Sequence, residues 1–231
     1  MKRTLRLGLA LLFVFVSGIS QVQATVIYDA ASDFSPTSNP NGVWTYGYYS
    51  AGVFTPYTLA FSHTSGLAGW GATSGLGGNP SVFNNPTGSP ITVSTLTLNA
   101  GELAMHPGPA GEISVVMFTA PTAALYSVGG YFKTNDSVGP TQDNQRSVYI
   151  NDDLEDSQYL LKVPSSVFPI SDFVYLSQGD TIGFGVGAQT YGYNTTGFNV
   201  TFEAVPEPSV ISFLGLSLLV LGFKRRRQLR L

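Results

Sequence analysis

"SQGDTIGFGVGA", Ser177–Ala188, sets a polar tight-turn signature directly against a strand that has no charged residue. Gly179 and Asp180 supply the turn chemistry, since glycine accepts positive φ and aspartate hydrogen-bonds its own backbone. Thr181–Ala188 then alternates Ile, Phe and Val with Gly. That period of two marks a strand with one face in a core. The stretch is expected to be a hairpin leading into a fully buried strand. Its three glycines, Gly183, Gly185 and Gly187, resemble no phosphate loop because no helical pattern follows them. Glycines in a strand serve close packing instead.

Outward from this stretch, similar short runs recur. Strands are expected near 43–49, 53–62, 91–98, 112–119, 125–133, 145–150, 158–163, 171–176, 181–188 and 197–204. No window of eleven residues in the middle of the chain carries helical spacing. The turns between the runs have physical causes. "SNPNG", Ser38–Gly42, combines proline with residues that tolerate positive φ. "HPGPAGE", His106–Glu112, holds two prolines that cannot donate to a ladder. About ten strands so spaced predict an all-β domain over residues 25–204, two antiparallel sheets packed as a sandwich or jelly roll. Gly66–Pro90, "GLAGWGATSGLGGNPSVFNNPTGSP", shows no strand pattern and is expected to be a long loop.

The two ends differ from this middle. Lys2, Arg3 and Arg6 precede an apolar run, Leu7–Val16, and a small-residue region ending Val22-Gln23-Ala24. This is the order of a secretory signal peptide over residues 1–24, cleaved between Ala24 and Thr25. Ten apolar residues make a helix of about 15 Å, too short for a ~30 Å hydrocarbon layer. The chain has 11 basic and 14 acidic residues, and eight of the basic ones lie in the ends. Between Thr25 and Glu207 only Lys133, Arg146 and Lys162 face all 14 carboxylates, a net charge of −11. Such a surface repels phosphate backbones, which excludes nucleic acid as a partner. The chain has no cysteine, so its exported domain must hold together by its core or by bound ions.

Candidate chemistry is spread through the middle. Trp44, Trp70, Tyr191 and Tyr193 are candidate ligand-binding aromatics, with Trp44 also readable as core. Trp70, in the glycine-rich segment, is expected to be an exposed platform. Flat rings stack on the C–H faces of sugars while neighbouring polar groups bond the hydroxyls. Glycosidic hydrolysis needs two carboxyl groups about 5–10 Å apart. Glu102 and Glu112 flank the "MHPGPAG" turn, and a hairpin there would bring them together near His106. Asp152, Asp153, Glu155 and Asp156 crowd into "NDDLEDS", a weak candidate for Ca²⁺. The spacing lacks the central glycine and terminal glutamate of a helical calcium loop, so the same stretch reads as a hydrated hairpin tip. No other cofactor is expected. His63 and His106 without a thiol do not make a zinc site.

"AVPEPSVISFLGLSLLVLGFKRRRQLRL", Ala204–Leu231, closes the chain. Pro206-Glu207-Pro208 is followed by an apolar run over 210–223, about 21 Å as a helix, and by a basic tail over 224–231. The prolines stop a helix from extending backward, and the basic tail would stay on the cytoplasmic side. Residues 205–231 resemble the PEP-CTERM sorting signal of Gram-negative bacteria. The resemblance implies export, transient anchoring in the inner membrane, and processing at Pro206, Glu207 and Pro208 by an exosortase-type enzyme. It further implies association with exopolysaccharide at a cell or biofilm surface. In the middle, "SDFSPTSNPNGVWTYGY", "LAMHPGPAGEISVVMFTAP", "LYSVGGYF", "VYIN" and "GDTIGFGVG" look like a recurrent domain of such exported proteins, a jelly roll similar to carbohydrate-binding modules. That resemblance identifies a fold and carries no functional residue. Three functions stay open at this point: an exopolysaccharide-binding surface protein without catalysis, a secreted glycoside-processing enzyme, and a purely structural matrix or adhesion protein.

Overall fold

The computed structural model describes residues 25–76, 79–138, 144–160, 166–190 and 192–206. The strands are β1 (Ile27–Asp29), β2 (Trp44–Ser50), β3 (Val53–Pro56), β4 (Leu59–Ser62), β5 (Ala68–Gly71), β6 (Ser81–Asn84), β7 (Ile91–Val93) and β8 (Leu96–Leu98). They continue as β9 (Leu103–His106), β10 (Ile113–Thr119), β11 (Ala124–Thr134), β12 (Asn144–Ile150), β13 (Asp153–Tyr159), β14 (Val167–Leu176), β15 (Thr181–Ala188) and β16 (Thr196–Ala204). There is no helix among the described residues. The signal segment 1–24 and residues 207–231, including Glu207, Pro208 and the apolar run, lie outside them. Pro206 is described and exposed.

Two antiparallel sheets pack face to face as a sandwich. One runs β14-β11-β16-β9-β6-β5-β4, with β1 joining β16 beside β9; the other runs β13-β12-β15-β10-β2-β3. Alternation along the central strands aims one side of each sheet inward. Trp44 and Tyr46 on β2, Val116 and Phe118 on β10, and Ile182, Phe184 and Val186 on β15 meet Tyr126, Val128 and Phe132 on β11 and Phe198, Val200 and Phe202 on β16. Phe118 and Phe202 stack across the sheets, 3.9 Å between centroids and 7° between planes. A small hairpin, β7–β8, covers the outer face of the larger sheet. Its Leu96 and Leu98 close a second apolar cluster with Phe61, Leu67, Phe83 and Ala104.

Several expectations are corrected. Ser177–Asp180 is a tight turn, held by Ser177 N–H to Asp180 Oδ2 at 2.8 Å, but it is no hairpin. β14 and β15 belong to different sheets, so the turn steps across the sandwich. The run 53–62 is two strands in different sheets, divided after Pro56, and 91–98 is a hairpin with a two-residue turn at Ser94-Thr95. Gly66–Pro90 holds two strands, β5 and β6. Its glycines allow close contact: a Cβ on Gly69 would lie 2.3 Å from the Val82 carbonyl oxygen.

Buried phenols give this core a pH limit. Tyr46 and Tyr57 are 0% and 2% exposed, and burial holds both hydroxyls well above the ordinary value of 10.0. A group raised in the fold contributes stability that is complete below its unfolded pKa and is lost as pH climbs beyond it. Each such phenol should therefore subtract about 1.4 kcal/mol per pH unit above pH 10. Urea midpoints are expected to be flat to pH 10 and to fall steeply by pH 12, with Tyr57→Phe softening the slope. A midpoint unchanged across that window would contradict the burial of these groups.

Candidate functional site

The outer face of the smaller sheet carries a third apolar cluster, Tyr49, Val115, Met117 and Tyr149, with Phe54 and Ile113 against it. The glycine column of β15 makes room for it. A Cβ on Gly185 would lie 2.7 Å from Ile113 Cγ2 and 3.2 Å from Tyr149 Cε2, and one on Gly187 would lie 3.1 Å from Ile113 Cγ1. Side chains from β10 and β12 therefore lie flat over bare backbone. Across this floor the rings of Tyr49 and Tyr149 stack, with centroids 4.3 Å apart and planes at 29°.

The polar part comes from a turn. β12 and β13 pair through Ile150 and Asp153, leaving Asn151 and Asp152 as a two-residue loop with φ of 48° and 69°. Two positive φ values at a two-residue loop define the type I′ hairpin, which favours Asn and Asp. Asn151 fixes this tip to the strand beside it, accepting from Thr181 N–H at 2.8 Å. The tip presents Asp152 to the rings, where its Oδ1 accepts the Tyr49 hydroxyl at 2.5 Å. The Tyr49 phenol is pushed up by burial first and then by Asp152, and burial also raises Tyr149. Both hydroxyls therefore stay protonated donors at neutral pH.

These groups line a cavity of about 250 Å³, bounded by Tyr49, Tyr149, Ile113, Leu154, Asp152 and the backbone of Ala51-Gly52 and Gly111. Ala51, Gly52 and Gly111 all have positive φ, so two sharp turns bring bare main chain to its rim. The result is an apolar floor and wall with the Asp152 carboxylate and the Tyr49 phenol at one side.

The expected site residues fall elsewhere. Trp44 is 0% exposed in the sandwich core, with its Nε1 donating to Asp33 Oδ2 at 3.1 Å. Trp70 is corrected from an exposed platform to a buried side chain on β5, 7% exposed, whose Nε1 donates to the Ser35 carbonyl at 2.7 Å. Tyr193 is 53% exposed on the β15–β16 connection, and Tyr191 lies outside the described residues. With Trp70 enclosed, no exposed platform forms at that position.

Glu102 and Glu112 do not share a hairpin, because β9 and β10 sit in different sheets. Glu102 is buried, its Oε1 2.5 Å from Lys133 Nζ and its Oε2 accepting from Asn99 N–H at 2.8 Å. Glu112 closes its own turn through Ala110 N–H at 2.8 Å, and His106 Nδ1 lies 2.7 Å from the Pro107 carbonyl. Both carboxylates are engaged in holding main chain. The acidic run is also divided. Asp152 is at the tip, Asp156 pairs with Arg146 at 2.9 Å, and Asp153 and Glu155 lie along β13. No group of three His, Cys, Asp or Glu side chains converges on a metal-sized point among the described residues.

No model of a known protein family matches the chain. No curated protein matches it either. Solved structures do. A family 35 carbohydrate-binding module from Clostridium thermocellum is similar over 78% of this chain and 98% of its own, at 10% identity and a TM-score of 0.33. A family 51 module from Clostridium perfringens in complex with methyl-galactose is similar over 63% and 93%, at 9% identity and a TM-score of 0.35. A family 35 module from an environmental isolate covers 42% and 73%, at 16% identity and a TM-score of 0.29.

Proposed function

We propose that residues 25–205 form a non-catalytic carbohydrate-binding domain, with a neutral sugar ring or chain end seated in the Tyr49–Tyr149–Asp152 cavity. The observation that carries this reading is the stacked tyrosine pair beside a fixed carboxylate, opening on a preformed cavity of about 250 Å³. Drug-sized ligands occupy about 300–1,000 Å³, so this cavity suits a single ring. Ile113, Leu154 and the tyrosine edges meet its C–H groups, while Asp152 and the Tyr49 phenol bond its hydroxyls. The rings are locked by stacking and by the Asp152 bond, so little side-chain freedom is lost on binding.

The ends of the chain complete the proposal. The N-terminal segment reads as an export signal and residues 205–231 as a sorting signal, which would deliver the domain to a cell surface or matrix rich in exopolysaccharide. Mass spectrometry of the exported protein is expected to find a C-terminus near Glu207, and an intact Leu231 terminus in the outer fraction would contradict processing.

The binding test uses the full chain in mild detergent on a glycan array, with and without Ca²⁺. Asp152→Gly keeps the type I′ turn, which favours glycine at that position, and removes the carboxylate. A hydrogen bond to a charged group is worth about 1.5–3 kcal/mol, so affinity should fall about tenfold to a hundredfold. No binding to any neutral or acidic glycan would sink the reading, and unchanged affinity in Asp152→Gly would move the site elsewhere.

A further inference from the structure

We propose that the opposite face of the sandwich carries a second glycan platform, centred on Phe173 and Tyr175, so that one domain bridges two polysaccharide chains. The inference rests on the carbohydrate reading of the cavity above and extends it to a cross-linking role.

β14 is an edge strand with two distinct faces. Phe168, Ile170 and Val174 pack against the core, while the alternate residues face out from the larger sheet. Phe173 and Tyr175 are 65% and 64% exposed, and Leu125, directly opposite Tyr175 on β11, is 41% exposed. Two residues along a strand is about 6.8 Å, so the rings stand side by side. The next positions on this face are hydroxyls. Ser127 is opposite Phe173, Ser171 is opposite Gly129, and Thr201 Oγ1 donates to the Gly129 carbonyl at 3.1 Å. Nothing else in the domain leaves two neighbouring aromatic rings so open among the described residues.

The chemistry of the face selects its occupant. Glu203 on β16, the cross-strand partner of Ser127 on β11, puts a carboxylate on this face, so an anionic polymer is repelled. A protein interface needs about 1,200–2,000 Å² in total and some 20–30 residues a side, far beyond the five open apolar side chains of this face, Phe173, Tyr175, Leu125, Val167 and Ile27, set among hydroxyls. Addition of a foreign strand to this edge is also blunted. Pro169 has no N–H, and the Phe173 N–H is already taken by Asp172 Oδ1 at 2.7 Å. An uncharged polysaccharide fits what is left, since its sugar C–H faces can lie on the two rings and its hydroxyls meet the serines. The cavity lies on the outer face of the other sheet, with the sandwich core between them. Sites facing opposite ways engage separate chains, and a polymer with many repeats turns that into a network.

The test pairs binding with cross-linking. Full chain in mild detergent is run by affinity electrophoresis through gels containing hydroxyethylcellulose, galactomannan or polygalacturonate. The same mixtures are followed by light scattering for growth of polymer aggregates. The wild type is expected to be retarded by a neutral polymer, to ignore polygalacturonate, and to raise the scattering. Phe173→Ala with Tyr175→Ala, on exposed positions, should weaken retardation about tenfold and abolish aggregate growth. Asp152→Gly should likewise abolish growth while leaving the platform's retardation. Retardation of the wild type with no growth in scattering would overturn the cross-linking inference alone. Growth unchanged in the Phe173/Tyr175 double variant would do the same, as would a dimer that this variant splits at unchanged polymer binding. No retardation by any polymer would overturn both this inference and the carbohydrate reading beneath it.

Discussion

Glu102→Ala is expected to destabilise the domain by about 3–5 kcal/mol, the usual consequence of removing one partner from a buried ion pair. Glu102 is 6% exposed, and its carboxylate binds three donors: Lys133 Nζ at 2.5 Å, Asn135 Nδ2 at 3.0 Å and Asn99 N–H at 2.8 Å. It lies over Gly197 of β16, where a Cβ would come within 2.3 Å of Oε1. The carboxylate thus fastens the end of the β7–β8 flap, through Asn99, to the outer face of the larger sheet. Alanine there would strand the Lys133 ammonium, whose side chain is only 16% exposed. Urea denaturation should show a lower midpoint at an unchanged slope, because the same surface is exposed on unfolding. Glu102→Leu combined with Lys133→Met removes both charges and should recover most of the loss. This also separates structure from catalysis. A Glu102→Ala protein of wild-type stability that had lost turnover of a glycan would make Glu102 an active-site acid.

The positions that the sequence made plain are those where one local rule acts alone. Alternation of Ile182, Phe184 and Val186 with three glycines located β15 to the residue, and the same logic placed β2, β10, β11, β12 and β16 within about two residues. The partner of each strand was harder to see. A four-residue turn such as Ser177–Asp180 can close a hairpin or step between facing sheets, and only long-range pairing decides. β5 and β6 were hidden for a related reason. "AGWG" and "SVFN" are four residues long and buried on both faces, so they show no alternation, and their glycines resemble loop glycines. Gly69 is needed for the opposite purpose, close approach to β6.

The candidate site followed the same pattern. Its aromatics, Tyr49 and Tyr149, lie 100 positions apart in sequence on strands separated by two others. No local motif joins them. The visible signals were indirect: glycines at alternate positions in β15, which read as packing but not as the bed of a tyrosine pair, and "NDDLEDS" at Asn151–Ser157, whose reading as a hydrated hairpin tip holds at Asn151-Asp152 but pointed to no tyrosine. Conversely, the tryptophans drew attention as sugar platforms because of their chemistry alone. Their size is equally suited to filling the space between two sheets, and burial settled the choice.

Trp44→Ala is the second large effect, about 3–5 kcal/mol as for other buried Trp or Phe truncations. At about 2–4 °C per kcal/mol for a domain of this size, the thermal midpoint should drop by roughly 6–20 °C. Trp44 is fully enclosed, with its ring 5.4 Å from Phe118 and 6.1 Å from Phe202, the pair that stacks across the sandwich. Truncation leaves a void beside that stack, and neighbours held in two sheets cannot collapse into it. It also frees Asp33 Oδ2 from the indole N–H. Trp44→Phe fills most of the volume and should cost less than half as much, with the lost hydrogen bond as the remainder. Because the cavity lies on the other side of the smaller sheet, the folded fraction of Trp44→Ala should keep wild-type affinity for any glycan the domain binds. Loss of affinity at unchanged thermal midpoint would restore Trp44 to the ligand site, and it would require the inner face of β2 to open to solvent.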